Sequence, residues 1–178
     1  MSAFRNLSYH RKISLTAGLL YLLTFVSIPT LALYTQVKSA NYIVGSGPDT
    51  SALIGATLEV TIALAGIGTA VVLFPILKKV NESASLALFA ARILESAGLL
   101  VGVSFILTIV SLRQAGAGAD SLVTGHALVT LYDRIFFLGG GFMPAVCDLL
   151  LGFLLLKSRL VPRALAMIGI VGGPLLLV

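Results

Sequence analysis

Long apolar runs are the feature that most constrains how this sequence can fold. Five segments are almost continuously apolar: residues 13–34, 52–77, 84–112, 128–156 and 161–178. The hydrocarbon core of a bilayer is about 30 Å thick, and about 20 apolar residues are needed to cross it as an α-helix. Helices also satisfy their own backbone hydrogen bonds, which lipid cannot do. The pattern therefore predicts an all-α integral membrane bundle with about five transmembrane helices.

Charged residues are too few for this chain to form a water-soluble domain. Only 11% of the 178 residues are charged and 58% are hydrophobic, whereas soluble domains contain about 25% charged and 45–50% apolar residues. A soluble fold must present polar groups to water, and this composition supplies too few of them. No acidic tail, Ser/Pro-rich linker or low-complexity tract divides the chain. We therefore expect residues 1–178 to form a single domain whose main partner is the lipid bilayer.

The basic residues predict how the helices are oriented. If the five helices alternate in direction, eight of the twelve Lys and Arg residues fall on one side of the membrane. These eight are Arg5, Arg11, Lys12, Lys78, Lys79, Lys157, Arg159 and Arg163. The opposite loops carry Lys38 and Arg113. Because loops rich in Lys and Arg stay in the cytoplasm, we expect a cytoplasmic N-terminus in the cell (plasma or inner) membrane. Clusters that face anionic headgroups also explain the net charge of +5, so nucleic acid is not an expected partner.

Ionisable residues within the apolar runs are the candidate binding cluster, because each costs roughly 2.5–3.5 kcal/mol to insert into a membrane. The cluster consists of Glu59, Arg92, Glu95, Asp133, Arg134 and Asp148. A helix rises about 1.5 Å per residue. The resulting depths predict that Arg92 can contact Glu95 and Asp148. They also predict that the long side chain of Arg134 reaches toward Glu59.

Two interpretations of this cluster remain open at the level of sequence. Paired charges can simply fix the register of neighbouring helices. Alternatively, the four carboxyl groups and two guanidinium groups surround a polar cavity for a cation, a proton or a charged headgroup. The carboxyl groups outnumber the guanidinium groups, and a carboxylate without an ion pair needs another positive partner.

Glycines and a proline interrupt the fourth run. Gly139-Gly140-Gly141 and Pro144 fall in the middle of the predicted span, where they loosen the helical hydrogen bonds. Broken helices line binding sites in transporters, and kinks of this kind also serve ordinary packing. In the third run, the spacing of Gly98 and Gly102 predicts close contact with a neighbouring helix.

The other chemistry-bearing residues exclude several classes of site. His10 and His126 are the two histidines, and they are expected at opposite faces of the membrane, so they cannot both ligate one haem. A three-histidine zinc site is excluded by count. Cys147 is the single cysteine and cannot form a disulfide within the chain. We predict no cofactor and no metal site.

Several strings along the chain carry a resemblance to a known family. They are residues 20–24 (LYLLT), 68–75 (GTAVVLFP), 91–96 (ARILES), 132–133 (YD), 136–139 (FFLG) and 157–163 (KSRLVPR). Together they resemble the bacterial multi-pass membrane family known as the domain-of-unknown-function 4386 family, over nearly the whole chain. The resemblance implies about six helices, so a sixth helix is expected to be missing from this chain. It implies no activity.

For function, the sequence favours a non-enzymatic membrane protein with a structural or accessory role, acting with other membrane subunits or with a second copy of itself. The alternative is a small carrier or channel-like protein, in which an interior cavity is lined by Glu59, Arg92, Glu95 and Asp148. A second alternative is a lipid-active membrane enzyme with His126 and Asp133 at the outer rim. No catalytic residue is assigned.

Overall fold

The computed structural model describes residues 8–25 and 29–175, and all regular structure in these ranges is helical. The elements are α1 (Tyr9–Thr24), α2 (Thr30–Leu33), α3 (Thr50–Leu77), α4 (Glu82–Gln114), a 3₁₀ turn (Ala119–Ser121), α5 (Leu122–Phe136), a π-helical segment (Phe137–Phe142), α6 (Met143–Ser158) and α7 (Arg163–Leu175). The π segment joins α5 and α6 into one continuous rod. In the described part of the chain, the long elements therefore make five rods, and the prediction of an all-α protein is confirmed.

Three of these rods are long and apolar enough to cross a membrane, by length and composition. They are Thr50–Leu77, Glu82–Gln114 and Ala119–Ser158, and Arg163–Leu175 is a shorter apolar helix.

The first predicted helix differs most from the structure. Within residues 13–34, α1 ends at Thr24 and α2 begins at Thr30, directly after Pro29. Proline lacks an N–H and its ring clashes with the preceding turn, so it favours the start of a helix over its interior. Parts of the sequence predictions lie outside the described residues. These parts are residues 26–28 of the first predicted helix, residues 176–178 of the fifth, and Arg5.

The middle of the fourth rod confirms the effect predicted for its glycines. Phe137–Phe142 contains all three and forms a π-helical turn. The rod is also longer than the predicted span of 128–156, since helical structure begins in the 3₁₀ turn at Ala119.

Helix α4 is the central element of the bundle, and it packs against α3, α5, the π segment and α6. Its glycines allow the closest approach. A Cβ atom added to Gly98 would lie 3.0 Å from the Cα of Gly139, and one added to Gly102 would lie 3.3 Å from the ring of Tyr132. The close contact predicted for Gly98 and Gly102 is therefore confirmed, and it holds the π segment directly against α4.

Two apolar cores stabilise opposite ends of the bundle. The first core lies beside the loop that follows α2 and contains Tyr34, Val37, Tyr42, Ile43, Ala52, Ile106, Ile109, Val110 and Tyr132. The second lies near the turns after α3 and α6 and contains Leu77, Leu88, Ala91, Cys147 and Leu154. Along α3 and α4, Glu59, Arg92 and Glu95 lie in sequence between the residues of the two cores, and the candidate site lies there.

Candidate functional site

A cavity of about 570 Å³ lies between the two cores. Its described wall consists of Tyr21, Thr24, Phe25, Thr30, Glu59, Ile62, Gly66, Arg92, Glu95, Leu99, Phe136, Gly140, Pro144 and Asp148. The structure thus brings four of the six predicted binding residues to one cavity. Three of those four are carboxyl groups and one is a guanidinium group, so the described wall is acidic if all four are ionised.

Arg92 and Glu95 form a buried ion pair on one face of α4. Arg92 Nη1 donates to Oε2 of Glu95 at 2.9 Å and to Oε1 at 3.1 Å, and the two side chains are 8% and 11% exposed. Arg92 Nη2 donates to the hydroxyl of Tyr21 on α1 at 3.1 Å, and the thiol of Cys147 on α6 donates to Glu95 at 3.3 Å. The predicted contact of Arg92 with Glu95 is confirmed, and the pair links three helices.

Arg92 is nevertheless not fully satisfied. Its Nε is buried and has no hydrogen-bond partner in the described part of the chain. A buried donor left without an acceptor costs about 1–3 kcal/mol, and native structures usually avoid that cost. The Nη1 and Nη2 atoms of Arg92 therefore donate to Glu95 and Tyr21, whereas its Nε lacks an acceptor.

Asp148 lies on the same wall but makes no ion pair. Among the described residues its carboxylate has no hydrogen-bond or salt-bridge partner, and Arg92 is the charge that acts on it from a distance. The predicted direct contact of Arg92 with Asp148 is therefore wrong. Equal depth does not by itself bring side chains of two helices together, because each must also leave its helix toward the other; Glu95 is one turn from Arg92 on α4 and accepts from its Nη1.

Glu59 is held by two phenols instead of by a guanidinium group. The residue is 2% exposed, and it accepts hydrogen bonds from Tyr132 at 2.6 Å and Tyr34 at 3.1 Å. The two rings meet edge to face with centroids 5.4 Å apart. The predicted reach of Arg134 toward Glu59 is wrong, because Arg134 follows Tyr132 by two residues. Two residues turn a helix by about 200°, so Tyr132 points inward and Arg134 is exposed.

Asp133 and His126 lie outside the cavity and have different partners. Asp133 forms an ion pair with Lys38 at 2.6 Å and is 54% exposed. His126 is exposed, and its Nε2 lies 3.0 Å from the carbonyl oxygen of Ala40. In the structure the two side chains proposed for a lipid-active enzyme are thus each engaged by the loop after α2, and not by one another.

The loop after α2 closes the bundle beside Glu59. Asp49, at the start of α3, accepts hydrogen bonds from Tyr42 at 2.5 Å, from Arg113 at 2.9 Å and from Gln114 at 2.9 Å. The hydroxyl of Tyr42, the amide of Gln114 and the charge of Arg113 together hold the pKa of Asp49 below its usual value. The Arg113 guanidinium also lies over the ring of Tyr42, 4.5 Å from its centroid. These contacts tie the loop to the ends of α3 and α4.

Tyrosines are the site residues that were not predicted from the sequence. Tyr21, Tyr34 and Tyr132 supply hydroxyl groups to the buried charges. Their positions inside apolar runs carried a usable signal, because a buried tyrosine usually finds a hydrogen-bond partner. The sequence does not say which acid each hydroxyl would meet.

No cluster of three or more His, Cys, Asp or Glu side chains suited to a metal occurs within residues 8–25 and 29–175. What the geometry defines is a helical-bundle protein with an acidic cavity between its helices. The family model described as "Domain of unknown function (DUF4386)" matches residues 16–178. The chain therefore belongs to this family. No curated protein and no solved structure matches the chain.

Proposed function

We propose that this protein is a multi-pass protein of the cell membrane with a cytoplasmic N-terminus. Three apolar helices of sufficient length support the proposal, and so does the apolar character of the outer surface. Leu22, Phe25, Leu94 and Ile168 are 62–66% exposed, and soluble monomers rarely leave broad apolar surfaces facing water. Lipid is the environment that makes such a surface favourable.

Within the membrane, we propose that the protein binds a cation in the acidic cavity, in the manner of a small carrier. The observation that carries this proposal is the state of Asp148, a carboxyl group on the cavity wall with no partner among the described residues. In a bundle built only for stability, Arg92 would be expected to pair with both Glu95 and Asp148. Instead Arg92 pairs with Glu95, and the carboxyl group of Asp148 is available to bind a ligand in the cavity.

The low dielectric of a membrane interior determines what the unpaired carboxylate of Asp148 can bind. A bare carboxylate in a low-dielectric interior is costly, so it takes up a proton or pairs with a cation. A cation that binds at Asp148 would displace a proton from the cavity. Exchange of this kind couples ligand binding to the proton concentration, which is how intramembrane acids work in pumps and transporters.

A structural or accessory role is the second candidate, and a specific observation favours it as well. The pair of Arg92 and Glu95 links α1, α4 and α6 through Tyr21 and Cys147, and the hydroxyl of Ser96 donates to the carbonyl oxygen of Ala63 on α3 at 2.9 Å. These contacts explain Glu95 as a residue that holds the bundle together. They do not explain Asp148.

The experiment compares two carboxyl groups of the same cavity in protein reconstituted into lipid nanodiscs. Glu95→Gln should lower the unfolding midpoint, because it leaves Arg92 without its ion pair. Asp148→Asn should preserve or raise the midpoint and should abolish the stabilisation that wild type gains from its cation. The probes are Na⁺, K⁺, Mg²⁺ and alkylammonium salts, and proton release on addition of the cation is measured in weakly buffered solution.

The matched control is Asp133→Asn, an exposed carboxylate of the same rod outside the cavity. It should leave cation binding and proton release unchanged. If Asp148→Asn binds cations as wild type does, or if it unfolds as easily as Glu95→Gln, the carrier proposal fails and the structural role is favoured.

A further inference from the structure

We propose that the ligand of this cavity is a lipophilic organic cation, an amphiphilic amine that places its ammonium group at Asp148 and its hydrocarbon body along the apolar wall. This inference rests on the proposed function and adds the class of ligand and its route of entry. Three properties of the cavity carry it: its size, the chemistry of its wall, and the side on which it opens.

Size argues against a bare inorganic ion. The cavity holds about 570 Å³, within the range of about 300–1,000 Å³ that is typical of sites for small organic molecules. Divalent cations are usually held by several oxygen ligands at about 2.0–2.6 Å. The described residues form no cluster of three or more such side chains, so a compact ion would find Asp148 as the cavity carboxyl group without a partner among the described residues, and a large empty volume.

The wall combines one free anchor with an apolar surface. Ile62, Leu99 and Phe136 line the cavity together with Asp148. Ile62, Leu99 and Phe136 also pack against one another in a small apolar cluster on α3, α4 and the end of α5. A hydrocarbon chain gains free energy from contact with such a surface, whereas a hydrated metal ion gains none.

Exposure along the wall indicates where the cavity opens. All of its residues on α3 and α4 are buried, so these helices form its floor. The accessible wall residues lie on two other rods: Tyr21, Thr24 and Phe25 at the end of α1, and Phe136, Gly140, Pro144 and Asp148 on the rod formed by α5, the π segment and α6. Phe25 is the most open of them at 64%. The described rim therefore runs between α1 and α6, on the side of the bundle.

Depth then identifies what faces that rim. Asp148 lies ten residues before Ser158, the end of α6, which is about 15 Å along a helix. In a hydrocarbon core about 30 Å thick, this is close to the middle. Beside Glu59 the cavity is closed by Tyr34 and Tyr132. A ligand that enters between α1 and α6 at this depth comes from the lipid, so it must partition into a bilayer.

The test measures equilibrium binding of radiolabelled n-decylammonium to the full chain in nanodiscs of zwitterionic lipid. Wild type should bind it saturably, and Asp148→Asn should weaken the binding at least about tenfold, as expected when one ion pair is lost at low dielectric. Asp133→Asn should bind as wild type does. Unlabelled n-butylammonium, Na⁺ and the uncharged n-decanol should each compete at least about tenfold less well than unlabelled n-decylammonium. Nanodiscs without protein measure the label that simply dissolves in lipid.

The outcomes separate this inference from the proposed function. If Na⁺, K⁺ or n-butylammonium binds in an Asp148-dependent way and n-decylammonium does not compete, the class of ligand is wrong and the cation site stands. If n-decanol competes as well as n-decylammonium, the site recognises hydrocarbon and not charge, and the inference is overturned. If no cation binds to folded wild type, both proposals fail. Folding of each variant is verified by its unfolding midpoint.

Discussion

Replacing Gly139 with alanine tests the contact that holds the π segment against α4. A Cβ atom at position 139 would lie 3.1 Å from Cα and 3.3 Å from the carbonyl carbon of Gly98, and 3.4 Å from the carbonyl oxygen of Glu95. Non-bonded carbons prefer about 3.5–4.0 Å, so the two backbones must separate by about half an ångström. All three atoms belong to backbone, so no side chain can rotate away to relieve the contact.

The size of the effect follows from a comparison with Gly141→Ala in the same segment. The nearest atom to a Cβ at position 141 is Cδ2 of Phe137 at 4.0 Å, an ordinary contact. Both substitutions gain the same helix propensity, about 0.5–1 kcal/mol, and Gly139→Ala alone carries an overpacking cost of about 1–3 kcal/mol. The free energies of unfolding should therefore differ by about 2 kcal/mol, which corresponds to about 4–8 °C in the unfolding midpoint.

Cys147 makes the measurement direct. It is the single cysteine of the chain and is 0% exposed, so a maleimide dye that fluoresces on reaction with a thiol reports its exposure during heating. Gly141→Ala should unfold at or slightly above the wild-type midpoint, and Gly139→Ala below it. Equal midpoints for the two variants would refute the reasoning, because they would mean that the backbones of α4 and the π segment do not approach as closely as described.

Two further predictions concern the loop after α2 and the orientation of the chain. Asp49→Asn should destabilise the protein by about 1–3 kcal/mol at pH 7, because charge-assisted hydrogen bonds from Tyr42 and Arg113 are lost. The lowered pKa of Asp49 makes this contribution complete above the ordinary value of 3.8, so the gap between wild type and variant should shrink as the pH falls below that value; a gap that widens in acid would contradict the assignment. For orientation, a fluorescent protein fused to the N-terminus should fluoresce in cells, and alkaline phosphatase inserted at Gly116 should be active, whereas the reverse pattern would exclude a cytoplasmic N-terminus.

The helices were largely predictable because their causes are local. An apolar run longer than about 20 residues can satisfy its backbone only within itself when lipid surrounds it, so α3 and α4 follow closely from residues 52–77 and 84–112. Loosened hydrogen bonding in the fourth run was predictable from three consecutive glycines, although the sequence did not predict its π-helical form. The break before Thr30 was missed because apolarity continues through Pro29, and there backbone geometry decides instead of hydropathy.

The candidate site was predictable in its charges and not in its partners. Depth along a helix placed Glu59, Arg92, Glu95 and Asp148 in the interior, and the structure gathers all four on one cavity. Pairing depends in addition on the angle at which each side chain leaves its helix and on which neighbour faces it. Because of those angles, Glu59 accepts hydrogen bonds from two tyrosines and Arg134 is exposed.

By itself, then, the sequence determined that this is an all-α chain with acids among its apolar runs, since hydrophobicity and helix periodicity are properties of neighbouring residues. The contact of Arg92 with Glu95, three residues apart on one helix, also followed from the sequence, and only the tertiary structure decided that Asp148 makes no ion pair with Arg92. The physical reason is that Glu95 lies one turn from Arg92 on the same helix, whereas a carboxylate on another helix meets Arg92 only if packing brings the two within hydrogen-bond distance. Whether the Asp148 carboxylate reaches Arg92 is fixed by how α4 and α6 pack, and not by either helix alone.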